Sequence, residues 1–160
     1  MAESLAEQAW WAARMDINTS RFGALQFSMA ETVCFPAGLI GLEDCRNWVL
    51  LSPRPGDRVI WVQSTQQAEI ALPLVDPRTF VPEFTLQLEP SDWAPLGKRE
   101  TDLVQVLVTM GRKETGLALN LLAPLVINCE RRIGRQVVNL DDWAVDHPVG
   151  ALPAALQRTA

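Results

Sequence analysis

Nucleophilic chemistry needs a base held within hydrogen-bond reach of its nucleophile, and this chain offers one histidine for that work, His147. It precedes Pro148 in a stretch, 147–160, that reads as a loosely held tail, a poor mount for a rigid base. Metal chemistry is served no better. Cys34 and Cys45 have ten residues between them, without the close ligand pairs of zinc sites. Cys129 ends an apolar run and reads as a packed thiol. Asp141 and Asp142 are adjacent, would diverge on a strand, and suit a wet turn. The sequence has no Walker motif, no G-x-G-x-x-G and no H-E-x-x-H. Gly38 and Gly41, after Phe35-Pro36, fit a bend better than a phosphate cradle. The reading is a non-enzyme without cofactor or metal.

If the chain transforms nothing, its surface must do the work, and composition constrains what that surface meets. The 160 residues are 48% hydrophobic and 21% charged with mean hydropathy +0.06, enough for one folded domain. The net charge is -5. A nucleic-acid binder needs a cationic face, so direct RNA or DNA binding is not expected. A basic protein partner is easier to accommodate. Residues 69–102 are acid-rich and 111–135 base-rich, a linear polarity that surfaces need not keep. The odd cysteine count, the absence of a signal-peptide pattern and the lack of about 20 consecutive apolar residues point to the cytosol and away from the membrane.

The elements that would position such a surface are mostly strands. Arg21–Ser28, Val59–Ser64, Glu69–Val75, Glu83–Leu88, Leu103–Met110, Leu117–Asn128 and Arg135–Leu140 are short, apolar and partly alternating. In Glu83–Leu88, Phe84, Leu86 and Leu88 share one face. Turns fall at Pro36-Ala37-Gly38, at Pro53 with Pro55-Gly56, at Asp76-Pro77 and at Gly134. The fold expected is all-β, an antiparallel barrel or sandwich. Ala2–Met15 reads as a helical extension carrying Trp10 and Trp11, opened by Ser4 and Glu7 as a capping box. At most one further short helix is expected, capped at Ser91-Asp92 and carrying Trp93 and Leu96. The organisation is then a helical extension over 1–15, a β domain over 16–149 and a tail over 150–160.

Several segments, in order, carry a resemblance. They are Arg21-Phe22-Gly23, then Phe35-Pro36-Ala37-Gly38-Leu39-Ile40-Gly41-Leu42, then Trp61-Val62-Gln63-Ser64, then Leu74-Val75-Asp76-Pro77 with Phe80 and Phe84. After these come Asn120-Leu121-Leu122-Ala123-Pro124-Leu125-Val126-Ile127-Asn128, Gly134-Arg135-Gln136-Val137-Val138 and His147-Pro148. Together they resemble the FliW family of flagellar assembly factors over roughly residues 17–149. Leu42 and Leu72 stand where members often carry phenylalanine, a swap that repacking tolerates.

The resemblance implies an antiparallel β domain with two protein clients, flagellin and the translational regulator CsrA. Free flagellin would occupy the protein; once flagellin is exported, the released protein would bind CsrA and relieve its repression of flagellin messenger RNA. An export chaperone for flagellin without a grip on CsrA is the alternative. A small hydrolase on a β scaffold is disfavoured by the missing catalytic set. The leading contact residues are Asn120, Leu121, Ala123 and Pro124, because a proline in an apolar strand favours an edge or bulge that an incoming segment can pair with. The same block also reads as a core strand with a bend. Trp61 and Gln63 come next, and Glu83, Glu89 and Asp92 are the acids placed to meet a cationic client.

Overall fold

A computed structural model describes residues 13–52, 56 and 58–150. The helical extension read over Ala2–Met15 lies outside these residues up to position 12; Ala13 and Arg14 are not helical and Met15 opens a strand, while Pro53–Pro55 of the expected turn and the tail beyond Gly150 also lie outside. Eleven strands follow in chain order: β1 Met15–Thr19, β2 Gly23–Phe27, β3 Thr32–Cys34, β4 Asn47–Leu51, β5 Val59–Ser64, β6 Ala71–Val75, β7 Val104–Lys113, β8 Gly116–Leu119, β9 Leu125–Asn128, β10 Ile133–Gln136 and β11 His147–Gly150. Two single-turn helices, α1 Pro77–Phe80 and α2 Pro90–Trp93, lie between β6 and β7.

Seven of these strands close on themselves. The order runs β7-β6-β5-β4-β3-β10-β9, and β9 pairs back on β7 through Val104↔Asn128 to Leu107↔Leu125. Closure removes the open edges that a sheet of this size would otherwise expose. The interior is filled by Val33, Phe35, Leu39, Trp48, Val62, Leu74, Leu107, Leu125 and Ile127, all fully or nearly buried. Each large side chain so buried contributes roughly 1.5–3 kcal/mol. Leu42 and Leu72 pack against this cluster, where leucine's smaller volume is accommodated.

Long β7 serves two sheets. Val104–Leu107 belong to the barrel, whereas Met110–Lys113 leave it and pair with β8, which carries β11 on its far side. A second apolar layer covers the outside of the barrel: Trp61, Val75, Val108, Leu119 and Leu121 pack under Val81 and Phe84. A third, smaller one seats Leu96 on Val126 and Val137. The β1–β2 hairpin stands apart as its own two-stranded sheet. Its turn is held by Thr19, whose hydroxyl donates to Gly23 O at 2.8 Å and accepts from Phe22 N, while Ser20 N donates to Ala68 O.

The all-β class is as expected, and several details differ. The sheet is not wholly antiparallel: β10 runs parallel to β3, a pairing that closing the barrel through β3 requires. Among the described residues two short α-helices occur, where at most one was expected beyond the N-terminal extension. Asp76 caps α1 by accepting from Arg78 N at 2.9 Å, with Pro77 at the first helical position, where proline's missing donor costs nothing. In α2 the cap is Glu89, not Ser91-Asp92, again ahead of a proline. Gly134 does not make a turn. It lies inside β10, at a position that takes glycine because a Cβ there would meet the Phe35 ring at 2.5 Å. The turn falls instead at 129–132, with Arg132 at φ 52.

Glu83–Leu88 has the expected burial alternation without joining a ladder. The side chain of Asn139 fixes it, accepting from Gln87 N at 3.1 Å and donating to Thr85 O at 2.8 Å. His147 is not on a loose tail. It starts β11 opposite Leu119, with its ring edge-on to Trp143 at 6.1 Å between centroids.

Candidate partner-binding surface

The block Asn120–Pro124 is not an edge strand. Sequence reading ran one strand through 117–128, but the chain leaves β8 at Leu119 and enters β9 at Leu125, and Asn120–Pro124 crosses from the small sheet to the barrel. Proline fits that crossing because its own amide is not needed there. The crossing is tied at both ends: Asn120 N donates to Thr109 O, Asn120 Oδ1 accepts from Ala123 N, and Pro124 O accepts from Val137 N. Leu121 is fully buried, Ala123 and Pro124 are buried, and Asn120 is half-buried. Packing therefore explains Leu121 and Ala123, and Asn120 is the member of the block that reaches a groove.

Trp61 and Gln63 are also buried. The Trp61 indole is covered by Phe22 edge-on at 5.7 Å and by the Arg21 guanidinium 4.2 Å above its ring, so it fastens the β1–β2 hairpin to the barrel. Gln63 donates to Ser64 O and Ala68 O and orders the turn before β6, while its Oε1 is buried without a partner. Among the acids, Glu83 and Glu89 are exposed, whereas Asp92 faces Arg135 at 3.3 Å. The base-rich segment is spent in the same way. Arg131 bonds Gly97 O, Arg132 bonds Thr32 O and Glu31 O, and Lys113 pairs with Asp146. Between the two linear charge blocks, one ion pair, Asp92 with Arg135, forms among the described residues.

The structure brings together residues that the sequence kept far apart, at one mouth of the barrel. Gln136 Oε1 accepts from Ile40 N at 2.8 Å while its Nε2 donates to Ala123 O at 3.0 Å. One side chain thereby joins the Phe35–Leu42, Asn120–Asn128 and Gly134–Val138 segments. Beside it runs a groove of about 370 Å³ lined by Leu39, Ile40, Leu42, Leu72, Met110 and Asn120, with Thr109, Gly111 and Gln136 completing the wall. Ile40 is 64% exposed at its rim. The loop that carries Ile40 needs glycine at position 38, where φ is +70 and a Cβ would lie 2.5 Å from Glu43 Cα. Gln136, Ile40, Leu72 and Gly111 were not singled out as contacts from sequence. The long hydrogen bonds across 96 and 13 residues that place Gln136 leave no local signal.

Among the described residues, no three His, Cys, Asp or Glu side chains converge on a common point, and no helix is long and apolar enough to cross a membrane. Desolvation pushes the Cys129 thiol up, which makes it a poorer nucleophile.

A closed barrel with a filled interior and an uncharged groove at its mouth defines an all-β barrel protein. The chain belongs to the FliW family, whose model, described as "FliW protein", matches residues 16–149. It is 34% identical to the flagellar assembly factor FliW of Bdellovibrio bacteriovorus, over 84% of this chain and 79% of that one. It is 30% identical to the namesake of Natranaerobius thermophilus, over 84% of this chain and 92% of that one. A crystal structure described as that of the flagellar assembly factor FliW shares the fold with a TM-score of 0.79 at 24% identity, covering 87% of this chain and 98% of that chain.

Proposed function

We propose that this protein serves flagellar assembly by binding two proteins in turn, flagellin and CsrA, and that its release from exported flagellin frees it to relieve CsrA's repression of flagellin messenger RNA. The observation that carries the reading is family membership across the whole barrel, residues 16–149. The physical chemistry agrees with it. The barrel core is packed with side chains, so recognition falls to the outer surface and the mouth. A net charge of -5 favours encounter with the cationic surface of an RNA-binding partner. The protein works in the cytosol on this reading and makes no contact with RNA itself.

Parallel titrations of the purified full chain with CsrA and with flagellin test the proposal. Binding of both, with flagellin displacing CsrA, is expected. Binding of flagellin alone would establish the export-chaperone role instead. If neither client binds at micromolar concentration, the reading is wrong.

A further inference from the structure

The seam between β6 and β7 is closed only at Leu74↔Thr109 and Val75↔Val108. Toward the barrel mouth, Pro73 and Ala71 continue β6 while Met110, Gly111 and Arg112 continue β7, yet no pairing joins them. The cause is chemical. Ser64 N donates to Ile70 O at 3.0 Å, which sets the phase of β6 so that Leu72 and Leu74 turn their amides toward β5. Ala71 and Pro73 then face β7, and Pro73 has no N–H to give. Asn120 N donates to Thr109 O on the other side of β7, so Met110 and Arg112 point their backbone groups toward the open seam. Among the described residues, the Met110 carbonyl and both Arg112 backbone groups have no strand partner on this side.

This short free edge borders the groove lined by Leu39, Ile40, Leu42, Leu72 and Met110. No lining residue is charged. Arg112, the next residue along β7 and exposed, makes no ion pair among the described residues, although the chain is net negative.

We propose that this mouth is the docking site for an extended segment of a partner protein, which adds a strand to β7 at Met110–Arg112, seats a large aliphatic side chain in the groove and brings a carboxylate to Arg112. An exposed edge supplies main-chain hydrogen bonds, the groove supplies side-chain selectivity, and the lone cation sets direction. A second copy of this chain fits less well, since its own Met110–Arg112 would bring a second Arg112 to the seam and no carboxylate. The inference rests on the protein-binding function proposed above and names the surface and the chemistry of the segment it takes.

Gly111 provides the test. It lies on the groove wall, a Cβ there meets nothing within 4 Å, and its φ is not in the left-handed region, so Gly111→Leu fills the groove without straining the barrel. CsrA and flagellin are titrated onto the parent protein, Gly111→Leu and Arg112→Glu, with circular dichroism confirming the fold. At least one client should lose about tenfold or more in affinity with Gly111→Leu. The same client should lose about threefold or more with Arg112→Glu, an effect that high salt erases. Unchanged binding of both clients by Gly111→Leu overturns the groove and leaves the proposed function standing. A parent protein that binds neither client overturns both. If Gly111→Leu abolishes self-association in sedimentation while client binding stays intact, the groove belongs to a second copy and the proposal fails.

Discussion

An added Cβ at Gly111 meets nothing within 4 Å, whereas at Gly134, inside β10, a single methyl group has no room. At Gly134 an added Cβ lands 2.5 Å from one atom of the Phe35 ring and 2.6 Å from another. The ring is fully buried and hemmed in by its neighbours, so it has nowhere to move. Overpacking of this kind costs about 1–3 kcal/mol, and Gly134→Ala should lower the urea midpoint by the corresponding amount without changing the slope. Asp102 makes a different prediction. Its side chain is almost wholly buried and accepts from Arg99 N at 2.9 Å and from Asn128 Nδ2 at 3.0 Å. These bonds, the Arg99 amide first, hold its carboxyl below the usual carboxylate range. A carboxylate with a depressed folded value adds stability above its unfolded pKa and loses it as pH falls through the folded one. Asp102→Asn should therefore lower the melting temperature at neutral pH. The gap from the parent should close as pH drops well below about 4, and a gap constant across a pH series of melts would refute the linkage.

At the scale of elements, Asn139 does the work of a missing strand. Besides its bonds to Gln87 and Thr85, its side chain accepts from Asp141 N at 3.0 Å and reaches Leu121 O at 3.5 Å, all at 3% exposure. Asn139→Ala should cost about 1–3 kcal/mol, since it removes four hydrogen bonds from a buried side chain and leaves the buried Leu121 carbonyl among the backbone groups that lose a partner. The loss should also be local. Hydrogen exchange at the Gln87 amide should accelerate far more than exchange in β5, and uniform acceleration would mean the segment is held by its apolar face alone. The same side chain explains why 83–88 looked like a ladder strand. Alternation of Phe84, Leu86 and Leu88 reports which face is buried and says nothing of what satisfies the backbone. Strands β5, β6 and β7 were legible because their apolar runs are long and bounded by turns. Strands β3, β4 and β11 were not, being three to five residues each with weak patterning. The crossing at Asn120–Pro124 was hidden inside one apolar run, since a buried crossover needs the same leucines as a buried strand. The ordered motifs did mark the barrel mouth, where Gln136 ties three of them together, but which side chains remain exposed there depends on contacts between residues far apart in sequence.

The molecule as a whole is net negative at -5, and half of its described cations are committed: Arg131 and Arg132 to backbone carbonyls, Arg14, Arg99, Lys113 and Arg135 to carboxylates. Glu83 and Glu89 are exposed and make no salt bridge among the described residues, while no residue lining the groove at the mouth is charged and Arg112 lies beside it. On the proposed partner binding, long-range attraction and short-range grip would come from different parts of the surface, and the two should separate in kinetics. Attraction by exposed acids acts before contact and is screened when the Debye length shrinks from about 10 Å at 0.1 M salt to about 3 Å at 1 M. Apolar contact and main-chain pairing act after contact and are far less sensitive to salt. For a cationic client such as CsrA, stopped-flow association should slow several-fold across that range while dissociation changes little. Glu83→Lys combined with Glu89→Lys should reproduce the slowing at low salt without altering dissociation. A salt effect confined to dissociation would place the decisive charges inside the interface and would remove the division between steering acids and a neutral docking mouth.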